Sequence, residues 1–390
     1  MDIKQEILSL KDELIGLRRD FHMYPETRFD LPRTSKKVAD YLRNLGLEVK
    51  EGVGKSGVVG LLRGNENGKT VMLRADMDAL PIDEANDVPY KSRVKGKMHA
   101  CGHDGHTAML LVAAKVLSEH KDQIKGNVKF VFQPSEEYPP GGAKPMIEDG
   151  VMENPHVDGA FGIHLWTPLK TGTIGTRPGA LMAAADKFDL KFTGKGGHGA
   201  YPHLSVDPIV AASQFVTSVQ SIVSREVSPL DSAVITVGKF SSGDVFNVIP
   251  ENAVLFGTVR TLKEETRSKV RKRIEEIARG IGAAFRVKCE FNYENGYPVL
   301  INDESMVELV RKAGKETVGA GNVLEVEPSM GGEDMAYYLQ KAKGAFYFVG
   351  ASNEKKGITA PHHSPYFDID EDALPIGVEM HVRTVLLFLS

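Results

Sequence analysis

The sequence predicts an α/β protein with a central sheet flanked by helices and an α+β module inserted into it. Three observations carry that reading. Apolar runs of strand length, at residues 58–62, 71–74, 128–132 and 159–163, are separated by turns and helical patterns, as in an open sheet covered by helices. Residues 186–294 run strand, helix, strand, strand, helix, strand, the order of a ferredoxin-like unit. Chain on both sides of that unit carries side chains suited to a single metal site, so residues 1–185 and 295–390 are assigned to one domain and 186–294 to an insertion.

A chain of 390 residues suits two or three domains, and 42% hydrophobic with 26% charged residues is an ordinary globular composition. A net charge of −4 gives no electrostatic footprint for nucleic acid or an anionic membrane. Two cysteines, Cys101 and Cys289, exclude a disulfide framework and suit a reducing cytoplasm. The charged N-terminal stretch has no apolar signal core, and no run is long enough to span a membrane, so a cytoplasmic location is expected.

In chain order, Ile3, Ile7, Leu10, Leu14 and Leu17 mark one face of a first helix. Residues 18–26 read as a turn ended by Pro25, and a helix over 34–45 is closed by Gly46. Gly54-Lys55-Ser56 invites a phosphate-loop reading, which fails because the glycine required five residues earlier is Val49. The strand at 71–74 runs into Asp76. A helix over 107–117 follows the segment Met98–His106. The strand at 128–132 delivers Gln133-Pro134-Ser135-Glu136-Glu137, and that at 159–163 ends in His164. Inside the insertion, strands at 187–192, 233–237, 253–260 and 285–293 alternate with helices over 207–224 and 264–281. Gly194–Gly199 spells a literal G-x-G-x-x-G, but helix pattern resumes only near Asp207, so a dinucleotide site is rejected. What remains is a glycine-supported loop presenting His198. The return segment holds a helix over 304–318, the acids Glu333 and Asp334 at a helix start, a strand at 345–349, and His362-His363.

Residues 98–106 hold three histidines, one thiol, one carboxylate and two glycines. Cys101 and His103, two apart in a glycine-bent loop, can aim a thiolate and an imidazole at one point, and both suit zinc and its late first-row neighbours. Further ligands must come from elsewhere. Asp76, Glu136/Glu137 and His164 each follow a strand, where open α/β sheets collect ligands. Successive side chains of extended chain point oppositely, so one of Glu136 and Glu137 can bind metal while the other reaches its water.

In order along nearly the whole chain, HACGHDGH at 99–106, QPSEE at 133–137, GIH at 162–164, GKGGHGAYPH at 194–203, FNVIP at 246–250, GTVRT at 257–261 and HHSPYF at 362–367 resemble the N-acyl-amino-acid amidohydrolases. That group includes hippurate hydrolases, auxin-conjugate hydrolases and N-acetyldiaminopimelate deacetylases, within the metallo-aminoacylase and carboxypeptidase superfamily. The resemblance implies a zinc-peptidase-like catalytic domain holding two divalent ions (Zn, Mn, Ni or Co) and a lid that mediates a homodimer or a dimer of dimers. It implies Cys101, His103, Glu137, His164 and His363 as ligands, with Glu136 as general base. His363 is preferred to His362 because the family's last histidine directly precedes a Ser-Pro-like pair. His198 is implied as a catalytic donor, and Asn247 and Arg260 as substrate-binding residues. Asp76 is placed behind the ligands, since distant relatives carry a ligand histidine nearby where this chain has Arg74. The expected reaction is metal-dependent hydrolysis of N-acyl amino acids, with a dipeptidase or carboxypeptidase of the same superfamily, or an N-acetyldiaminopimelate deacetylase of lysine biosynthesis, as the alternatives.

Overall fold

The uninterrupted apolar runs form the middle of an eight-stranded mixed sheet. In the computed structural model, which describes residues 3–390, the strand order is Glu48–Val53, Gly57–Arg63, Lys125–Gln133, Glu66–Asp76, Gly159–Lys170, Lys343–Ser352, Ile174–Thr176, Val323–Glu325. The four longest central strands run parallel. Parallel strands are covered on both faces, which is why they read as continuous rather than alternating apolar sequence; Val128, Phe130, Val131 and Phe132 are all fully buried. Register sets Asp76 opposite Gln133 and Arg74 opposite Gly162. The carboxyl ends of these strands therefore come level, which brings the side chains that follow them together.

Helix His103–Glu119 is buried from His103 to Leu117 except at Lys115, as befits a helix apolar all round. Helices Lys11–Met23 and Ala373–Phe388 pack against it. The approach needs glycine: a Cβ on Gly377 would lie 2.1 Å from Met109 Sδ.

Several sequence expectations are corrected. The first helix breaks at Leu10 into Ile3–Ser9 and Lys11–Met23, although its apolar stripe keeps Ile3, Ile7, Leu14 and Leu17 inside. Residues 18–23 are helical rather than a turn, because Arg18 and His22 both bond the buried Asp104, at 2.8 and 2.7 Å. The helix expected from residue 107 starts at His103, and the strand expected to stop at residue 163 runs to Lys170. Strand Glu48–Val53 was not anticipated. It is a largely exposed edge strand whose charges leave no apolar alternation to see.

The second unit comprises Met182–Leu300 with Pro328–Glu333; the remainder of the chain forms the first. Its antiparallel sheet has the order Ala233–Ser241, Asn252–Thr261, Ala184–Thr193, Lys288–Tyr297, the arrangement of a ferredoxin-like unit. Along Ala184–Thr193 buried and less buried residues alternate, and the buried set meets helices Pro208–Ser218 and Glu264–Phe285 in a core that includes Phe188, Phe192, Phe215, Val270 and Ile274. Asp207 caps the first of these helices by accepting the Ile209 N–H at 2.8 Å. That helix stops at Ser218, short of the expected residue 224, and a wider turn follows at Ile222–Glu226. No helix among the described residues is long and apolar enough to cross a membrane.

Candidate metal centre and active site

Four separate segments of the first unit bring ligand atoms to one place. Gly102, in the left-handed conformation at φ 88°, turns the chain so that Cys101 lies just before the helix and His103 begins it. Glu136 and Glu137 follow strand Lys125–Gln133 through Ser135, also left-handed at φ 55°. His164 comes from the neighbouring strand. The distant His363 is tied in by its own N–H, which donates to the Ala100 carbonyl at 2.8 Å. Ligand atoms of Cys101, His103 and His164 lie within 4.8 Å of one another, as do those of Cys101, Glu137 and His363, and those of His103, Glu136 and Glu137.

The orientation of each ring follows from its hydrogen bonds. His103 Nδ1 donates to the Asp78 carbonyl at 2.7 Å, and His164 Nδ1 to the Leu165 carbonyl at 2.7 Å. A histidine that spends Nδ1–H on a carbonyl turns its Nε2 outward. His164 Nε2 sits 3.4 Å from Cys101 Sγ. His363 Nε2 sits 3.2 Å from Glu137 Oε1. Asp78 steadies the paired glutamates, its two oxygens accepting the N–H of Glu136 at 2.8 Å and of Glu137 at 3.2 Å.

The residues fit a divalent metal on two grounds. His103 Nε2 is buried without a hydrogen-bond partner, and Glu137 Oε1 has His363 Nε2 beside it at 3.2 Å without hydrogen-bond geometry, a costly arrangement that a cation would relieve. The local potential is also strongly negative. Burial alone would lower the His103 pKa, yet Asp76, Asp78 and Glu137 outweigh it and lift it to about 10. Burial, then the charges of Glu137, Glu136 and Asp76, push the Cys101 thiol well up. Burial, with the neighbouring His106 and His362, holds His164 neutral and well below its usual range. Glu137 is lowered against its burial by His363 and His103. One thiol, three imidazoles and a carboxylate are a donor set suited to zinc and the later first-row metals.

His198, Asn247 and Arg260 lie in the second unit. His198 and Asn247 are neighbours: Val248 pairs with His198 across a short antiparallel ladder, and the Gly199 N–H donates to the Asn247 carbonyl at 2.8 Å. Both side chains are exposed, and His198 Nδ1 accepts the Ala200 N–H at 3.0 Å. Arg260, half-buried on strand Asn252–Thr261, donates to the Thr258 hydroxyl and to the Val259 carbonyl. Burial lowers its pKa from the usual guanidinium value.

Three residues around the centre escaped sequence reasoning. They are Asp78, His106 and Leu165. The Asp-x-Asp spacing at 76 and 78 was the available signal for the first. The others act on or through backbone groups, for which sequence carries no signal. Asp76 accepts from His106 at 2.6 Å and from Arg74 at 2.7 Å, with its second oxygen 3.7 Å from His103 Nε2.

The sequence pattern of peptidase family M20/M25/M40 matches residues 72–387. Thermostable carboxypeptidase 2 of Saccharolobus solfataricus is 43% identical over 389 residues, covering 99% of this chain and 98% of its own. N-acetyl-L-cysteine deacetylase of Bacillus subtilis is 42% identical over 366 residues, covering 94% and 86%. Among solved structures, the Bacillus subtilis YXEP protein, described as a dinuclear metal binding peptidase, superposes with a TM-score of 0.84 at 34% identity over 98% of this chain and 99% of that one.

Proposed function

The chain belongs to peptidase family M20/M25/M40, and from that premise we propose that it hydrolyses the amide bond of N-acyl amino acids, releasing a carboxylic acid and a free amino acid. The observation that carries this reading is the convergence of Cys101, His103, Glu137, His164 and His363 beside Glu136. The donors fall into two trios that share Cys101, a set that would hold two divalent ions, Zn, Mn, Ni or Co. Bound there, such ions supply Lewis acidity, polarising a carbonyl and bringing the pKa of a water to near neutrality.

Glu136 is assigned as general base. It takes the proton of the attacking water and returns one to the leaving nitrogen. It is not needed by either of the trios built on Cys101, and its backbone is fixed by Asp78. The substrate falls to the second unit. The guanidinium of Arg260 offers a planar fork to the free carboxylate of an N-acyl amino acid. Asn247 supplies amide hydrogen bonds, and His198 donates to the oxyanion in the partner subunit's site. A homodimer through this unit is supported by strand Ala233–Ser241, which lies at the sheet edge with Val234 and Phe240 exposed.

The similarity to a carboxypeptidase favours one second reading, hydrolysis of a peptide bond by the same centre. A panel of N-acetyl, N-benzoyl and dipeptide substrates, run on chelated and metal-reconstituted protein, separates the two. Chelated protein is expected to be inactive and to recover with Mn, Zn, Co or Ni. Faster turnover of dipeptides than of N-acyl amino acids would replace the first reading by the second, and full activity without metal would end both.

A further inference from the structure

Three buried or half-buried histidines meet at the backbone N–H and carbonyl of one residue, Leu165. Pairing between strands Glu66–Asp76 and Gly159–Lys170 runs from Val71 opposite Gly159 to Arg74 opposite Gly162. Leu165 lies beyond it, where that edge of the strand must find other partners. Its N–H donates to His106 Nε2 at 2.8 Å. Its carbonyl accepts from His164 Nδ1 at 2.7 Å and from His362 Nε2 at 3.0 Å.

A backbone N–H can only donate and a carbonyl can only accept, so these bonds fix the proton on each ring. His106 carries its proton on Nδ1, which donates to Asp76 at 2.6 Å. His362 carries it on Nε2, and its Nδ1 is 3.4 Å from the Thr167 hydroxyl. Both nitrogens of His106 and of His362 are thus directed at protein groups. Of the three, only His164 directs a lone pair at an assigned ligand, Cys101. The close packing is built in: a Cβ on Gly105 would lie 2.5 Å from Leu165 Cδ1.

We infer that His106 and His362 are positioning residues that act on the metal centre through the backbone of Leu165 and are not themselves ligands. His106 fixes Leu165 at its N–H and, through Asp76, ties it to Arg74. His362 fixes Leu165 at its carbonyl, next in the chain to the assigned ligand His363. Together they set the tautomer and ring direction of His164. The inference rests on the metal reading above.

The test titrates metal-free wild type, His164→Ala, His106→Ala, His106→Gln and His362→Phe with cobalt(II). It follows bound ions per subunit by elemental analysis, the cobalt–thiolate absorption, and tryptophan fluorescence. The chain has one tryptophan; the Trp166 ring lies 5.4 Å from that of His164 and 4.8 Å from that of His362, so its emission reports on this site. His164→Ala is expected to bind one ion fewer. His106→Ala and His362→Phe are expected to keep the wild-type stoichiometry, with cobalt affinity lowered roughly 10–100-fold and a changed absorption band. His106→Gln, whose amide can accept from Leu165 and donate to Asp76, should recover most of the affinity. His362→Phe keeps a ring against Trp166 at a half-buried position, so it serves if His106→Ala does not fold. Loss of an ion in either positioning variant, or an unchanged affinity and spectrum in the folded ones, overturns the inference. A wild type that takes up no cobalt overturns the metal reading as well, and is recognised before any variant is compared.

Discussion

Glu136 and Glu137 occupy adjacent positions, and Asp78 accepts the backbone N–H of both, so their division of labour lies wholly in side-chain direction. Glu137 Oε1 is close to His363 and His103, whereas Glu136 is the candidate to reach a proton in flight. Glu136→Ala should lower kcat by about two to four orders of magnitude while bound metal stays near wild type. Glu137→Ala should lose metal together with rate, and elemental analysis beside kinetics would expose a swapped assignment. Protonation gives a second expectation. At neutral pH the metal-free site holds protons on Cys101, whose pKa is pushed up, and on His103, at about 10. His164 and Glu137 are already deprotonated. Metal must displace the first two, so uptake should release about two protons per subunit, with a further fraction from His363, which Glu137 raises. The sign is that affinity strengthens as pH rises toward those values and weakens as it falls. Calorimetry in buffers of differing ionisation enthalpy counts the protons, and a count near zero would contradict the site's charge state. These donors were legible because soft ligands crowd into nine residues and recur after strands. Asp78, His106 and Leu165 were not, because nothing in a sequence says which backbone amide a side chain will meet.

At the scale of elements, long apolar segments were readable and edges were not. The parallel strands and the element order of the second unit were found, since burial forces hydrophobicity with period two or in unbroken runs. Strand Glu48–Val53 and helix Ala373–Phe388 were missed. The strand is mostly exposed, and the helix carries Pro375 near its start, where proline is tolerated but reads as a breaker. Glycines inside helices were ambiguous for the same reason, since only packing tells a needed one from an idle one. Gly105 sits where a Cβ would meet Leu165 at 2.5 Å, Ile369 at 3.1 Å and Leu374 at 3.2 Å. Gly280, on the exposed face of helix Glu264–Phe285, would meet nothing within 4 Å. Gly105→Ala should therefore destabilise by about 1–3 kcal/mol through overpacking and disturb metal affinity through Leu165. Gly280→Ala should stabilise by about 0.4–1 kcal/mol. Equal shifts in Tm for the two would mean that helix propensity, not packing, governs both.

At the scale of the whole molecule, the proposed ligands all belong to the first unit, while His198, Asn247 and Arg260 belong to the second. Each unit has its own hydrophobic core, and the residues proposed to meet substrate belong to the second. The exposed His198 loop, held by its ladder to Val248 and by the Gly199–Asn247 bond, is suited to reach outward. If His198 serves the partner subunit's site, two inactive variants can repair each other. Take Glu136→Ala and His198→Ala, each expected to lose about two orders of magnitude or more in rate, mixed in equal amounts with subunits allowed to exchange. A mixed dimer then has one site lacking both groups and one lacking neither. Random pairing makes about half the dimers mixed, each with one working site of two, so about a quarter of wild-type activity should return for a symmetric dimer. Metal content should stay near wild type throughout, because neither residue is assigned as a ligand. If exchange is demonstrated by differently tagged subunits and activity stays at the background of the separate variants, His198 acts within its own subunit or not at all, and the shared site is abandoned.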